Sequence, residues 1–407
     1  MNKLPRPAGA WITPTRRAAD GIIPMELSEK PSMKQIVPAG SQALAVRSSA
    51  LVVRGLRDLA RDSNWLIKKV FNGRSPHLAI SPAGQLSAIS PYAQHGARHG
   101  QQRVVLYDIE LSVPTLALSV PGESSAPAAD SPVAFAWSPT ARYLVAAWGA
   151  WQAQLHCFDL HGKMLLGTFG EYRHFPHSIG WSETGKYFAA ASAGGKAASL
   201  RLWQSGSDAA APHGPFVGPP ASEVGVPNSV EPQQYGEEFA EEGAFRGYGR
   251  TAFSPSERLL AAVVEIQGDW ADDSIAIFDV PSLQNQLAFG AQGHITDLTW
   301  TPDSRQIVYC AAGQAYRLEV ESMFFEPLPF GAELCVCHPH FPLCVCFSSW
   351  LKNSAKGRLF LADLSRQTVF DEYAAEGVVD LRWSLDGSKA YAVTRDGMAY
   401  IYEPPLI

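Results

Sequence analysis

The chain has 407 residues, of which 46% are hydrophobic and 18% charged, and its formal net charge at pH 7 is −6. This length exceeds one ordinary domain unless the chain is built from repeats. No apolar run reaches the 18 residues of a membrane-spanning helix, the first residues lack the apolar region of a secretory signal, and the six cysteines do not suit a disulfide framework. We therefore expect no membrane span and a reducing, cytoplasmic location.

The N-terminal segment differs from the rest of the chain in charge and periodicity. Residues 1–75 carry thirteen Lys/Arg against five Asp/Glu, or about +8, so the remainder carries about −14. Residues 1–42 contain several prolines and no sustained periodicity, which predicts a disordered tail. In residues 43–64, apolar side chains at helical spacing are interleaved with arginines, which predicts a short amphipathic basic helix. Such a segment is either solvated or docks on an acidic surface.

After an isolated predicted strand at residues 65–71, one unit recurs to the end of the chain. Its clearest copy, from Val378 to Glu403, has three alternating runs separated by Asp-Gly turns, which indicates three half-buried antiparallel strands. The first strand of each copy ends at a Ser-Pro pair or a degenerate form of it: Ser81-Pro82, Ser138-Pro139, Ser182-Glu183, Ser254-Pro255, Thr301-Pro302, His338-Pro339 and Ser384-Leu385. The third strand ends in an aromatic or apolar residue followed by an acid or amide: Tyr107-Asp108, Phe158-Asp159, Trp203-Gln204, Phe278-Asp279, Leu318-Glu319, Ala362-Asp363 and Tyr402-Glu403.

Both series have seven members, and this number predicts the architecture. Successive third-strand ends are 51, 45, 75, 40, 44 and 40 residues apart. Apart from one insertion, this is the period of a four-stranded propeller blade. We therefore predict an all-β fold, a seven-bladed β-propeller of four-stranded antiparallel blades spanning residues 65–407.

The unit resembles the WD40 repeat, whose pattern runs from Gly-His through Ser-Pro-Asp-Gly to a closing Trp-Asp. The best copies are Gly293-His294 followed by LTWTPD, and the run from Leu381 to Gly387, LRWSLDG. Only one copy carries Gly-His, and only Trp203 stands as tryptophan in a closing pair. The resemblance implies a rigid interaction scaffold that presents a loop face to protein partners.

The two ends of the repeat region predict how the ring closes. The seventh unit stops at Glu403 after three strands, whereas residues 65–71 form a strand without a unit of its own. Since a propeller must close to protect its sheet edges, we expect this N-terminal strand to complete the last blade.

One insertion separates the third and fourth units. Residues 205–245 are proline-rich and acidic and contain no Lys or Arg, which predicts a flexible loop. Part of it must supply the fourth strand of blade three, which we place near Pro215-Phe216-Val217. The rest is either a surface insertion or a docking segment.

The cysteine cluster CVCHPHFPLCVC is the main candidate for metal or redox chemistry. Alternation places Cys335 and Cys337 on one face of their strand, and a hairpin sets them opposite Cys346 and Cys344. Zinc binding and a redox pair are the alternatives to core packing. We favour core packing because ligand pairs on adjacent strands seldom converge tetrahedrally and free cysteine packs as a small apolar residue. We expect no cofactor.

Other polar groups carry weaker signals. The run from Gln267 to Asp273 gathers three carboxylates but lacks the spacing of a calcium loop, which favours a solvated turn. His174 and His177 lack a metal-binding frame. There is no nucleophile elbow, phosphate loop or dinucleotide fingerprint, and the acidic body argues against nucleic acid.

These observations favour a non-catalytic protein-interaction scaffold, a monomeric propeller within a larger complex. The alternative is an enzyme or small-ligand-binding propeller that uses the central channel. In an antiparallel meander, the loops after the second and fourth strands share one end of the ring, where large aromatic residues collect. We predict that a partner docks there on Trp151, Trp270, Trp350, Tyr92 and Tyr172, and that Trp148 folds between blades.

Overall fold

The computed structural model describes residues 65–71, 75, 77–89, 104–118, 132–148, 151–174, 176–193, 198–205, 220–224, 245–266, 272–349 and 357–404. These ranges contain 28 β-strands and no helix. The predicted disordered tail at 1–42 and the predicted helix at 43–64 lie outside the described residues.

The strands form seven four-stranded antiparallel sheets, so the predicted seven-bladed propeller is confirmed. Blade 1 contains β2 (Leu78–Ile80), β3 (Gln85–Ile89), β4 (Val104–Asp108) and β5 (Val113–Leu118); blade 2, β6 (Pro132–Trp137), β7 (Tyr143–Trp148), β8 (Trp151–Asp159) and β9 (Met164–His174); blade 3, β10 (Pro176–Trp181), β11 (Tyr187–Ser192), β12 (Leu200–Gln204) and β13 (Ser222–Val224); blade 4, β14 (Phe245–Phe253), β15 (Leu259–Ile266), β16 (Ser274–Asp279) and β17 (Asn285–Gly290). Blade 5 contains β18 (Ile295–Trp300), β19 (Gln306–Ala311), β20 (Gln314–Glu319) and β21 (Phe324–Pro327); blade 6, β22 (Leu334–Cys337), β23 (Leu343–Ser348), β24 (Gly357–Asp363) and β25 (Thr368–Ala375); blade 7, β26 (Val378–Trp383), β27 (Ala390–Thr394), β28 (Met398–Tyr402) and β1 (Trp65–Lys69).

The ring closes through its N-terminal strand, as the sequence predicts. β1 pairs antiparallel with β28 over five positions, from Trp65 opposite Tyr402 to Lys69 opposite Met398. The Trp65 ring packs on the Tyr402 ring with 4.9 Å between their centroids, and both side chains are buried. The last blade therefore joins the two ends of the repeat region.

The Ser-Pro signal has a physical basis in the turn between the first and second strands. In six blades the Ser or Thr oxygen accepts the backbone N–H at the start of the second strand, which fixes the turn. These bonds link Ser81 to Gln85 (2.8 Å), Ser138 to Tyr143 (2.9 Å), Ser182 to Tyr187 (3.0 Å), Ser254 to Leu259 (3.1 Å), Thr301 to Gln306 (3.1 Å) and Ser384 to Lys389 (2.9 Å).

His338 takes the place of this hydroxyl in blade 6. Its Nδ1 accepts the backbone N–H groups of His340 at 2.9 Å and Phe341 at 3.1 Å. Its Nε2 lies 3.1 Å from the carbonyl oxygen of Gly387 in the next blade, and its ring packs edge-on to Trp383. A Cβ at Gly387 would lie 2.4 Å from that imidazole, and Gly387 has a φ of +70°. The close approach and the left-handed backbone each require glycine at this position. The histidine therefore caps its own turn and joins two blades.

In blades 1, 2 and 6 the acid at the end of the third strand accepts backbone N–H groups of the next turn. The Asp108 carboxylate accepts the N–H of Leu111 at 2.8 Å, and Asp363 accepts those of Ser365 and Arg366 at 2.9 and 3.0 Å. In five blades the residue four positions after the acid is left-handed: Ser112, Lys163, Leu283, Met323 and Gln367, with φ between 53° and 55°. In blades 1, 2 and 6 the closing acid is thus a turn cap.

The core lies between the blades rather than within any one of them. One cluster joins Val263 and Ile277 of blade 4 to Trp300 and Tyr309 of blade 5, and similar clusters fill the other blade interfaces. Because both faces of a blade are covered, every residue of β27 is buried. The alternation there predicts a half-buried strand, and in this respect the sequence prediction is wrong.

The fourth strand of blade 3 lies further along the insertion than predicted. It is β13, Ser222–Val224, and not the run near Pro215-Phe216-Val217, which lies outside the described residues. Specific polar contacts hold this short strand: Glu223 pairs with Arg201 at 2.8 Å, and the Ser222 hydroxyl donates to the carbonyl of Pro281 at 2.7 Å. Since a strand of three residues buries little apolar surface, these polar contacts determine where it lies.

Candidate functional site

The strand directions divide the propeller into two ends. The turns after the first and third strands of each blade lie at one end, which we call the turn face. The loops after the second and fourth strands lie at the other end, which we call the loop face. Much of the loop face, including residues 90–103, 267–271 and 350–356, lies outside the described residues.

Tryptophans at the ends of the first strands tie neighbouring blades together. Each indole Nε1 donates to a carbonyl on the first strand of the preceding blade: Trp137 to Ala79 (3.1 Å), Trp181 to Ala136 (3.3 Å), Trp300 to Ala252 (2.9 Å) and Trp383 to Val336 (3.1 Å). In every case the acceptor is the residue just before the equivalent strand end. We call these the strand-end tryptophans. Their hydrogen bonds hold together the first strands that form the wall of the central channel.

The first strands surround a central cavity of about 380 Å³. Its lining extends from the first strands to the turns that follow them, including Pro139, Pro255, Pro302 and Pro339. The cavity therefore reaches the turn face, where prolines surround its mouth. This volume lies within the range typical of small-ligand sites.

The turn face exposes large apolar side chains. Of the nine exposed large hydrophobic residues among those described, six lie in or beside its turns: Leu111, Val113, Met164, Phe324, Phe341 and Leu385. Leu111 is 71% exposed and Phe324 is 64% exposed. Phe341 and Leu385 lie in neighbouring first turns that His338 joins. Exposed apolar groups of this size are typical of interaction surfaces.

Hydrogen bonds between blades hold the turns of this face in place. The Glu257 carboxylate accepts the N–H of Thr184 at 2.7 Å, which joins blades 3 and 4. The Ser304 hydroxyl accepts the N–H of Ser256 at 2.9 Å, which joins blades 4 and 5. Lys389 pairs with Glu110 at 2.6 Å across blades 7 and 1. Several turns of the turn face are thus cross-linked by hydrogen bonds and an ion pair to turns of the neighbouring blade.

The aromatic residues predicted for docking have different outcomes. Tyr172 is buried, with the Arg201 guanidinium 4.4 Å above its ring, so the prediction of an exposed Tyr172 is wrong. The reason is that β9 continues past the expected loop and pairs Tyr172 with Ala153 of β8. Trp148 is buried, as predicted.

The remaining predicted docking residues stay predictions. Trp151 is the first residue of β8, opposite His174, and only its backbone is described. Trp270, Trp350 and Tyr92 lie outside the described residues.

The histidine of the single Gly-His pair contacts a buried carboxylate of the preceding blade. Nδ1 of His294 lies 2.7 Å from Asp273, whose two oxygens also accept the N–H groups of Ile266 at 3.2 Å and Ile295 at 2.9 Å. Asp273 is only 1% exposed, so the prediction of a solvated turn is wrong for this residue. The exposed Asp272 accepts the N–H of Gly293 at 2.7 Å. These carboxylates hold blades 4 and 5 together.

The cysteines lie in the core between blades 5 and 6. Cys335 stands opposite Cys346 and Cys337 opposite Cys344, as the predicted hairpin requires. All four thiols are free and buried in one cluster with Cys310 and Phe360. Burial in these apolar surroundings raises the pKa of Cys344, which keeps its thiol protonated. The prediction that these cysteines pack in the core is therefore confirmed.

Four charged residues on the first strands line the cavity, and sequence reasoning missed them: Arg250, Asp297, Asp380 and Arg382. Arg250 and Asp297 form an ion pair with 3.8 Å between Nε and Oδ1. Burial raises the pKa of Asp297 to about 7, although Arg250 opposes this shift. Burial also raises the pKa of Asp380 and lowers that of Arg382. Three of the four lie three residues before a strand end, and this shared position is the signal that could have revealed them.

Comparison with known proteins supports the architecture. A chain in the crystal structure of the mitotic checkpoint complex is similar, with a TM-score of 0.57 and 10% identity, covering 84% of this chain and 95% of that chain. At this identity the similarity shows the fold alone. No protein-family model matches the chain, and no curated protein matches it. The described ranges include no helix with the length and apolar character needed to cross a membrane.

Proposed function

We propose that this propeller is a non-catalytic scaffold that holds protein partners on its turn face, as a monomer within a larger cytoplasmic complex. The exposed apolar side chains of that face carry the proposal. Phe341 is 49% exposed and Leu385 is 48% exposed, on adjacent turns at the channel mouth. Burying such a side chain stabilises a complex by about 1.5–3 kcal/mol, so a partner that covers several of them gains substantial binding energy.

The cross-linked turns support this role because they reduce the entropy that binding would cost. Thr184 and Ser256 are each held by a neighbouring blade before any partner arrives. A preorganised surface loses little conformational freedom on association. The similar chain belongs to a multi-protein complex, which is consistent with assembly around a propeller.

We further propose that the chain is a divergent WD40-like propeller. The pair of His294 and Asp273 supports this assignment, since it uses the Gly-His residues of the best-matching copy. The Ser or Thr turn caps of six blades support it as well.

Capture from an extract of the native cell, quantified by mass spectrometry, tests the scaffold proposal. The double variant Phe341→Ser/Leu385→Ser should lose its specific partners because it removes exposed apolar surface from the turn face. Leu66→Ser is a matched control, since Leu66 is 54% exposed but lies on β1 at the outer rim of blade 7. It should capture the same partners as the wild-type chain.

The same experiment tests the loop-face prediction through the triple variant Trp151→Ala/Trp270→Ala/Trp350→Ala. Loss of partners in this variant alone would move docking to the loop face and leave the scaffold role intact. Unchanged capture by both variants, with melting temperatures equal to wild type, would contradict docking on either surface. A wild-type chain that enriches no specific protein would contradict the scaffold function itself.

A further inference from the structure

The charged residues of the cavity differ in whether their hydrogen-bonding atoms already have partners within the protein. Asp297 accepts the N–H of Leu298 at 3.0 Å and that of Cys335, on the next blade, at 3.0 Å. Asp380 accepts the N–H of Leu381 at 3.1 Å and that of Ile80, also on the next blade, at 2.9 Å. Both aspartates therefore join blades, and their acceptor oxygens are occupied by the backbone.

The two arginines have donors to spare. Arg250 contacts Asp297 only through Nε, at 3.8 Å, and its side chain is 47% exposed. Among the residues that the structure describes, Arg382 forms no hydrogen bond and no ion pair within 4 Å; the nearby charge that acts on it is that of Asp380. A guanidinium has five N–H donors in a rigid fork, and burying it without partners is costly. The N–H donors of these two arginines are therefore available to a hydrogen-bond acceptor that carries negative charge.

We propose that the channel binds a small organic anion, whose carboxylate or phosphate group is held by Arg250 and Arg382. The planar fork of a guanidinium matches the oxygens of either group in a bidentate arrangement. Part of the cavity wall is small and apolar, at Ala79, Ala136 and Gly180, and it lies beside polar residues such as Ser178 and Thr299. Such a wall suits the carbon skeleton of a ligand, and the volume of about 380 Å³ limits that skeleton to a small molecule.

The depth of the site distinguishes a small molecule from a side chain of a docked protein. Arg250 lies five residues before Pro255 at the cavity mouth, which corresponds to about 16 Å along an extended strand. Arg382 lies only one residue before its strand end and so nearer the mouth, but a partner that rests on the turn face would need a long, thin projection to reach Arg250 as well. A free small anion needs none, so the proposal is independent of the scaffold function.

The full-length protein and two defined probes test the site. Inorganic phosphate and succinate are titrated at constant ionic strength, with sodium chloride as the reference salt, and binding is followed by calorimetry and by the melting temperature. At least one probe should bind saturably to the wild-type chain. Arg250→Gln should weaken that binding at least tenfold, and Arg382→Gln should do the same.

Arg305→Gln is the matched control because Arg305 is an exposed arginine in a turn of blade 5. It should bind the probe as the wild type does. If Arg382→Gln does not fold, Arg250→Gln decides the outcome, since the exposed Arg250 side chain is not part of the packed core. Equal binding by wild type and Arg250→Gln would overturn the proposal. Binding of a glutamate-rich peptide without binding of either small anion would overturn it as well and would assign the channel to a partner chain.

Discussion

At the scale of single residues, an acceptor atom defines the first turn of each blade, and several residue types can supply it. Ser and Thr accept the backbone N–H at the start of the second strand, at 2.8 to 3.1 Å, whereas His338 accepts an N–H within the turn, that of Phe341, at 3.1 Å. The degenerate Ser-Pro series is therefore a series of turn caps. Because the cap is buried or half-buried, losing it leaves an N–H without its partner.

Ser384→Ala should lower the free energy of unfolding by about 1–2 kcal/mol, since the N–H of Lys389 loses its acceptor. Ser384→Thr is the matched control because Thr301 fills the same position in blade 5, and it should stay close to wild type. Urea denaturation measures both. The alanine variant should also raise the pKa of Asp386, which hydrogen bonds from the Ser384 hydroxyl and from Ser388 lower to about 2. Equal stability of the alanine and threonine variants would contradict the capping role.

The buried His156 predicts loss of stability in acid. Burial lowers its pKa to about 4, so it stays neutral in the fold while an unfolded histidine binds a proton near pH 6.5. The unfolded chain then holds more protons between these values, and stability falls as the pH drops from about 6.5 to 4. The largest difference in the free energy of unfolding is about 3 kcal/mol.

His156→Asn removes this titration and keeps a partner for the Thr168 hydroxyl, which lies 3.0 Å from Nδ1 of His156. Its stability relative to wild type should therefore rise as the pH falls from 7 to 4.5, measured by urea denaturation at each pH. His161→Asn, at an exposed turn, is the surface control and is measured in the same way. A parallel shift of the His156→Asn curve at every pH would show that the ring acts through packing alone.

At the scale of the strand, bonds between blades matter as much as bonds within them. Strand-end tryptophans reach from one first strand to the next, whereas Phe253 and Cys337 occupy the same position without an indole donor. The ring thus combines blade junctions that have an indole hydrogen bond with junctions that rely on other hydrogen bonds, such as that between Cys335 and Asp297. This difference predicts which substitutions the ring tolerates.

Trp300→Phe should cost about 1–3 kcal/mol, because it removes the 2.9 Å bond to the Ala252 carbonyl and part of a buried ring. The backbone accommodates phenylalanine at this position, as blade 4 shows at Phe253. Trp181→Phe should cost less, since its bond to Ala136 is longer, at 3.3 Å. Chemical denaturation ranks the two variants, and the reverse order would contradict a hydrogen-bond origin.

Removing residues 1–73 deletes β1 and should expose the edge of β28 together with the buried face of Tyr402. We expect a lower melting temperature and association in solution, because an unpaired strand edge templates pairing with other chains. A chain that lacks only residues 1–40 keeps β1 and should match the full chain. Thermal unfolding and light scattering compare the two. A stable, monomeric chain without residues 1–73 would contradict closure by β1.

At the scale of the molecule, the sequence predicted the ring well and its site poorly. The turn caps, and turns such as Asp386-Gly387, are formed by residues that are close together in the sequence. For that reason the sequence alone was enough to predict the blades. β13 was misplaced because its three residues show no alternation and depend on Arg201, some twenty positions earlier in the chain. Arg250 and Asp380 look like ordinary polar residues in alternating strands. Only the closed ring places them around one cavity.

Closure by β1 also imposes a delay during synthesis of the chain, because β1 is made long before its partner β28. Lys69 and its partner Met398 are separated by about 330 residues, so a ribosome that adds about 5–20 residues per second needs about 15–65 s to complete the pair. Throughout this delay the nascent strand carries Leu66 and Ile67, which remain exposed even in the finished fold. Lys68 and Lys69 follow them directly, and charges beside an apolar strand discourage pairing with other chains. By this principle the two lysines would oppose pairing of β1 with other chains until β28 emerges.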